Sequence, residues 1–374
     1  MEQRVFRSRI EALRREVMDP CGLDMLVAYS DDILSAGAVR YLTDFDIYAM
    51  YGLAIVPRRG DVVLAFGQHH SAYLIRVKQA AIADHYAGTS HPGELCAELL
   101  AELRTEATPR VGMVGGAHMF NSIHAELRSK MAGASFVDVD REFWSHYCAS
   151  LGTEGAEPNL RRSAVIASQA VAHARNAFAS GQRSAAQIAA GAALSARRLG
   201  ADIMNRELIQ VLCASGMPLP ENLAPPARSP LAADALFAIE IAPPYAGQRT
   251  VCGRTMLREG AAVSGAEELS RAAAVHASIL ALLRPGTTGG HIVGEAHRLA
   301  RAAGFGFSET GELGSGIGLD IRQAPYLVPG DATALSPGMA LAIRTRLKSM
   351  SFGTIHRADT VLVAERGPDV LTGT

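Results

Sequence analysis

A chain of 374 residues, 48% hydrophobic and 20% charged, is long enough for two domains with buried cores. Its formal net charge of −1 gives no electrostatic footing for nucleic acid. No apolar run approaches the roughly 20 residues that span a bilayer, and the start MEQRVFRSRI has no signal-peptide apolar region.

Five cysteines (Cys21, Cys96, Cys148, Cys213, Cys252) are odd in number and lack CxxC spacing, so a cytoplasmic protein with reduced thiols and no membrane partner is expected. In chain order, Phe6, Ile10, Leu13 and Val17 recur at helical spacing and predict an amphipathic helix over 5–18. A short apolar strand follows at 24–29. Apolar runs at 51–57 and 61–66 bracket Arg58-Arg59-Gly60 and predict a β-hairpin. Helical patterns at 71–80, 93–104 and 119–131 alternate with short strands near 111–114 and 136–139, which indicates an α/β domain over 1–150.

LGTEGAEPNL, 151–160, has the composition of a linker, and residues 151–374 form the second domain. There 161–179 and 185–199 are alanine-rich helices. A proline-rich loop covers 218–230, and helices are expected at 266–283 and 290–303. The glycine-rich segment 311–327 then leads to strands at 340–347 and 359–363. This half repeats internally: Ala238-Ile239-Glu240-Ile241 falls over Ala342-Ile343-Arg344-Thr345, and Gly200 falls on Gly304, both at an offset of 104 (344 − 240, 304 − 200). A helix and its following strand at one offset indicate a duplicated unit, with Glu240 and Arg344 at equivalent places on two inner strands.

Glu240 through Gly247 to Arg254-Thr255, then GSGIGLDIRQAP, SPGMALAI, and ADTVLV followed by Gly367 and Leu371, occur in one order. On these segments the chain resembles the creatinase, prolidase and aminopeptidase P superfamily over nearly its whole length. VRYLTDF (39–45) is similar to the family's strand-and-turn after the first helix. The resemblance implies an α/β (α+β) fold in which a creatinase-like N-terminal domain precedes a duplicated pita-bread domain. It also implies where the five metal ligands of metal-using relatives fall: on Glu240, Val251, Ser315, Arg344 and Ala358, beside Asp359. The family's His-Glu pair before Ala-Pro is here Arg322-Gln323, and the loop that supplies another active-site histidine has Glu221-Asn222. Valine and alanine donate nothing, serine is a weak ligand, and Arg344 brings a fixed cation. No metal, no cofactor and no metallopeptidase activity are expected.

Two readings of function stay open. In one, by resemblance to creatinase, the chain is a metal-independent hydrolase or lyase acting on a C–N bond of a small carboxylate-bearing substrate. Its candidate proton carriers are Glu240, Glu221 and His356, and its candidate substrate contacts are Arg344, Arg322, Arg346, Ser315 and Tyr245. In the other it is a non-catalytic pita-bread binding protein. Glu240 is either an acid or base or the partner of Arg344 or Arg254 in a buried pair. Arg344 and Arg346 point to one side of their strand and form either an anion receptor or structural pairs. Ser315 reads as a small residue in a tight turn ahead of a nucleophile, His69-His70 as a solvated turn, and Cys252 as core. A homodimer is expected from the resemblance, because the segment that reaches the partner's site in relatives is here the apolar DIYAMYG (46–52).

Overall fold

Phe6, Ile10 and Leu13 are buried along one side of α1 (Gln3–Leu13), and a π-helical turn, Arg14–Met18, continues it to buried Val17 and Met18. The computed structural model describes residues 3–31, 37–47, 50–67, 70–104, 107–151, 156–181, 184–202, 210–216, 218–231, 236–257, 263–307 and 312–373. The chain divides into two units, Met1–Tyr147 and Cys148–Thr374.

In the first unit, β1 (Met25–Asp31), β2 (Tyr51–Pro57), β3 (Val63–Phe66), β4 (His85–Gly88), β5 (Arg110–Val114) and β6 (Ser135–Asp138) form one sheet in the order β4-β3-β2-β1-β5-β6. The predicted hairpin is β2 and β3, paired antiparallel from Gly52↔Phe66 to Ile55↔Val63. Both β1 and β2 are buried along their whole length, which is why they read as continuous apolar runs rather than alternations. VRYLTDF departs from the expected strand-and-turn, since its first residues lie in α2 (Gly37–Thr43). Local hydrogen bonds decide it: Ser30 Oγ accepts from the Val39 N–H at 3.0 Å, and the Thr43 hydroxyl donates back to the Val39 carbonyl at 2.8 Å. Helices α3 (Ser71–Ala80), α4 (Pro92–Glu102) and α5 (Asn121–Lys130) follow the predicted periodicity. His69 lies outside the described residues, while His70 caps the start of α3 with an extended backbone.

Helix α6 (Asp140–Ser150) carries the chain past the boundary between the units, and α7 (Glu157–Ala179) takes up the end of the segment expected as a linker. Pro158 belongs in that first turn, where its missing N–H leaves no hydrogen bond unmade. Beyond it come α8 (Ala185–Arg198), α9 (Val263–Leu280) and α10 (Gly289–Ala302). The duplication is physical. Helices α8 and α10 are each 14 residues long, and each is capped by a hydroxyl, Ser184 accepting from Gln187 N and Thr288 from His291 N. Each then runs into a left-handed glycine, Gly200 at φ 98° and Gly304 at φ 81°.

The second unit's large sheet contains β7 (Gln210–Gly216), β8 (Leu236–Ala242), β11 (Cys252–Met256), β13 (Gly314–Gly316), β14 (Gln323–Leu327), β15 (Ala340–Ser349) and β16 (Gly353–Ala364), in the order β14-β13-β15-β16-β11-β8-β7. The short β12 (Gly306–Phe307) and β17 (Gly367–Val370) attach to β15 and β16, and β9 (Pro244–Tyr245) pairs with β10 (Gln248–Arg249) apart from it. Phe237, Ile239, Ile241 and Cys252 face the alanine-rich surfaces of α7 and α8 in one buried cluster. Small alanines let these helices approach closely and place the intervening Glu240 on the opposite face of the sheet. The five cysteines are free thiols, and among the described residues no helix is long and apolar enough to cross a membrane.

Candidate functional site

One row of residues crosses the sheet of the second unit. Glu240 on β8 faces Gly253 on β11, Gly253 faces Ala358 on β16, and Ala358 faces Arg344 on β15. The two middle positions carry only a hydrogen and a methyl group, so a long side chain can lie across them. Arg344 does so, its Nε donating to Glu240 Oε1 at 3.0 Å and approaching Oε2 at 3.3 Å. His356, two residues from Ala358 and hence on the same face, sets Nε2 2.9 Å from Glu240 Oε2. A Cβ on Gly253 would meet that Nε2 at 2.9 Å and the Ala358 Cβ at 3.0 Å, so the glycine makes the room.

Burial pushes the Glu240 carboxyl up, but the charge of Arg344 and the hydrogen bond and charge of His356 outweigh it and hold the group at about 2. Glu240 is therefore an anion at neutral pH, engaged in the buried pair with Arg344 that the sequence left open as one of its two readings. His356 is engaged with that anion through Nε2, while its buried Nδ1 has no hydrogen-bond partner.

Glu240 and Arg344 open onto a cavity of about 350 Å³, whose other charged walls are Arg346, Arg322 and Glu312. Both hydrogen bonds of Arg344 to described residues run through Nε, which leaves the two amino groups of its fork to the cavity. Arg322 is held by Glu312 through Nε at 3.1 and 3.2 Å, with its guanidinium 4.6 Å from the centre of the Tyr326 ring.

Four sequence candidates are not among the described cavity walls: His356, which reaches the cavity only through Glu240, and Glu221, Ser315 and Tyr245. Glu221 lies 3.7 Å from Lys348 Nζ in a partly exposed pair, while its neighbour Asn222 does line the cavity. Ser315 is fully buried in β13 opposite Ala342, and its hydroxyl has no hydrogen-bond partner. Tyr245 sits in the two-residue β9 and packs on the α7–α8 core, with the Arg162 guanidinium 6.0 Å from its ring. It is not brought to the described cavity walls. Sequence reasoning misses Glu312 and Gly253. The signals in the sequence are an acidic residue ten positions before Arg322 and a glycine inside the short strand Cys252–Met256.

A second charged cluster lies behind the same sheet, on the residues next in sequence to the first row. Arg254 Nη2 donates to Asp359 Oδ1 at 2.9 Å and to the Thr372 carbonyl at 3.1 Å, while Nη1 donates to the Gly253 and Ala358 carbonyls. His276 of α9 joins Asp359 Oδ2 at 2.9 Å and Thr345 Oγ1 at 2.7 Å, and the Thr372 hydroxyl donates to Asp359 Oδ1 at 2.8 Å. Burial pushes the Asp359 carboxyl up, but His276 and Arg254 overcome it and hold the group below its ordinary range. Burial lowers the pKa of His276 despite Asp359, so the ring is neutral, donating to Asp359 and accepting from Thr345.

The sequence profile of Metallopeptidase family M24 matches residues 158–365, more than half of the 374. An Xaa-Pro dipeptidase of Pyrococcus furiosus is 32% identical over 91 residues, 24% of this chain and 26% of that protein. The agropine synthesis cyclase of Rhizobium rhizogenes is 36% identical over 93 residues, 25% of this chain and 24% of that one. The chain thus spans about a quarter of the length of these curated relatives. Among solved structures, dipeptidase PepE from Mycobacterium ulcerans matches with a TM-score of 0.82 at 19% identity, covering 100% of this chain and 97% of that one, a likeness of fold alone. Family profile, duplicated helix-and-strand units and fold agree: the chain belongs to metallopeptidase family M24, within the creatinase, prolidase and aminopeptidase P superfamily of pita-bread proteins.

Proposed function

We propose that this chain is a metal-independent member of its family, which seats a small carboxylate-bearing molecule on Arg344 and acts on a C–N bond of that molecule as a hydrolase or lyase. The observation that carries the reading is the Arg344 fork, anchored to Glu240 through Nε with its amino groups on the cavity. A guanidinium anchored at one corner is pre-oriented to grip a carboxylate or to stabilise a developing oxyanion. The donors at the five family positions do not fit two divalent cations. They are one carboxylate engaged by Arg344 and His356, a valine, a fully buried serine, an arginine and an alanine. One relative is named a dipeptidase and another a synthesis cyclase, so relatives of this chain carry more than one reaction.

In this reading Glu240 positions Arg344, and the proton is carried by water or by the substrate's own groups. The second reading, a binding protein without turnover, is favoured by that same Glu240, whose carboxyl at about 2 is no general base at neutral pH. The experiment that separates them is incubation with carboxylate-bearing N-acyl amino acids, lactams and cyclic amidines, followed by NMR. Product formed after exhaustive dialysis against chelator supports the enzyme, and a raised melting temperature without product supports the binding protein. No response to any compound overturns both. A stoichiometric divalent transition metal found by elemental analysis of the purified protein sinks the metal-independent part.

The reading includes a cytoplasmic homodimer, checked by light scattering. Support from DIYAMYG is reduced, because Ile47 and Tyr51 are buried within the chain and only Met50, 44% exposed, offers apolar surface among its described residues. Tyr48 and Ala49 lie outside the described residues.

A further inference from the structure

His356 is buried, yet its ring makes a single hydrogen bond: Nε2 lies 2.9 Å from Glu240 Oε2, and Nδ1 has no partner. A carboxylate only accepts, so the ring carries a hydrogen on Nε2 and donates it to Glu240. The surrounding residues hold the ring to that contact. The Thr255 hydroxyl accepts from the His356 N–H at 2.8 Å and donates to the His356 carbonyl at 3.0 Å, while Gly253 leaves the space in which the ring lies. The contact decides how Glu240 meets Arg344. Both carboxylate oxygens approach the same nitrogen, Nε, at 3.0 and 3.3 Å, and neither amino group of the fork donates to a described residue. A carboxylate beside a guanidinium pairs more strongly when its two oxygens meet two nitrogens in parallel. Here that turn would pull Oε2 away from His356. We propose, resting on the reading of Arg344 as the anchor of the ligand, that His356 is a positioning residue. It pins Glu240 to the Nε corner of Arg344 and thereby keeps the amino groups of the fork for the carboxylate of the ligand. Without that bond Glu240 turns onto an amino group, and an internal carboxylate takes the place meant for the ligand.

The test is isothermal titration calorimetry at pH 7 with N-acetyl-L-leucine. His356→Ala is expected to weaken the ligand about tenfold, the scale of one charge-assisted hydrogen bond. His356→Gln, whose amide nitrogen can stand where Nε2 stood, is expected to keep most of the affinity. His356→Asn, whose shorter amide reaches only the place of Nδ1, is expected to lose it as the alanine variant does. Adding Glu240→Gln to His356→Ala replaces the competing anion by a neutral amide and is expected to recover part of the lost affinity, a reversal that damaged packing would not produce. Where His356→Ala fails to fold, the Gln and Asn variants carry the test between them. Unchanged affinity in His356→Ala, equal affinity of the Gln and Asn variants, or a double variant weaker than His356→Ala, each with the ligand still weakened by Arg344→Ala, overturns this inference and leaves the anion receptor standing. Binding that ignores Arg344→Ala, or no binding by any N-acetyl amino acid, overturns the receptor itself and this inference with it.

Discussion

The two faces of the second unit's sheet carry the same kinds of group, an arginine, a carboxylate and a histidine, yet they end differently. Behind the sheet, Asp359 accepts from Arg254, His276 and Thr372, and both Asp359 and His276 have side chains only 3% exposed. On the cavity face Glu240 is nearly as buried, but Arg344 meets it with one corner of its fork and keeps a 15% exposed side chain. The charges behind the sheet close on one another, while those in front leave positive donors facing a void. A closed cluster serves stability and offers a ligand nothing. An arginine fixed at one end has already lost much of its rotamer freedom, so less ordering remains when an anion arrives. Removing a carboxylate should therefore cost most in stability behind the sheet, and removing an arginine should cost most in binding in front.

The largest expected effect is at Asp359. Asp359→Ala leaves the Arg254 guanidinium buried without its carboxylate and frees His276, a loss of about 3–5 kcal/mol by analogy with broken buried pairs. Urea unfolding measures it, and a loss no greater than that of Glu240→Gln in the same buffer would erase the contrast between the faces.

Acid titration sharpens the comparison next. Folding lowers the Glu240 carboxyl from its ordinary 4.5 to about 2. Its stabilisation is thus fully present above about pH 4.5 and is lost as pH falls toward 2, on the order of 3 kcal/mol across that window. Asp359, whose carboxyl is also lowered, and His276, whose lowered pKa makes its protonation in acid costly to the fold, change with pH in the same sense. Glu240→Gln should remove only the Glu240 part, flattening the curve between pH 4.5 and 2 without abolishing acid unfolding. A curve parallel to that of the unaltered protein would show that the carboxylate is not held by Arg344 and His356.

How much of this was legible beforehand follows from which physical signals are local. The periodicity of 71–80 is carried within ten residues and coincides with α3. The 104-residue offset placed Glu240 and Arg344 on equivalent strands and left their pairing open as one alternative. That they meet depends on the strand order β15-β16-β11-β8 and on Gly253 and Ala358 lying between them, a register no local pattern encodes. The placement of Tyr245 apart from the described cavity walls was not legible, because a two-residue strand has no alternation from which to read its facing. VRYLTDF failed because two hydroxyl hydrogen bonds outweighed the strand preference of its Val, Tyr and Thr. Val251 and Ala358 could be read directly as non-donors, since lost chemistry needs no geometry.

On the binding side, Arg344→Ala should weaken a carboxylate ligand by about 30-fold, roughly 2 kcal/mol. Arg344→Lys should restore only part of that, because the ammonium cannot reach both Glu240 and the ligand with a planar fork. Titration of N-acetyl-L-leucine into both variants is the measurement. If Arg344→Ala lowers the melting temperature steeply while affinity for every carboxylate stays unchanged, the cavity face resembles the closed one and Arg344 is structural.

The smallest effect is expected at Glu221, and it tests the one proton carrier that the sequence placed on a loop. Its carboxylate lies 3.7 Å from Lys348 Nζ, with the two side chains 36% and 37% exposed. Water screens such a pair, so Glu221→Gln should change stability by no more than about 0.5 kcal/mol. Because the side chain is absent from the described cavity walls, ligand affinity should also hold within about twofold, well under the 1.4 kcal/mol that a decade requires. The informative measurement is turnover of whichever compound proves to be a substrate. Unchanged kcat and KM in Glu221→Gln would leave proton transfer to water or to the substrate and keep the exposed loop out of the chemistry. A tenfold or greater fall in kcat, with KM, melting temperature and ligand affinity intact, would reinstate Glu221 as the proton carrier. The contrast between the faces would then gain a third member, a partly exposed carboxylate beside Lys348, next in sequence to a residue of the cavity wall.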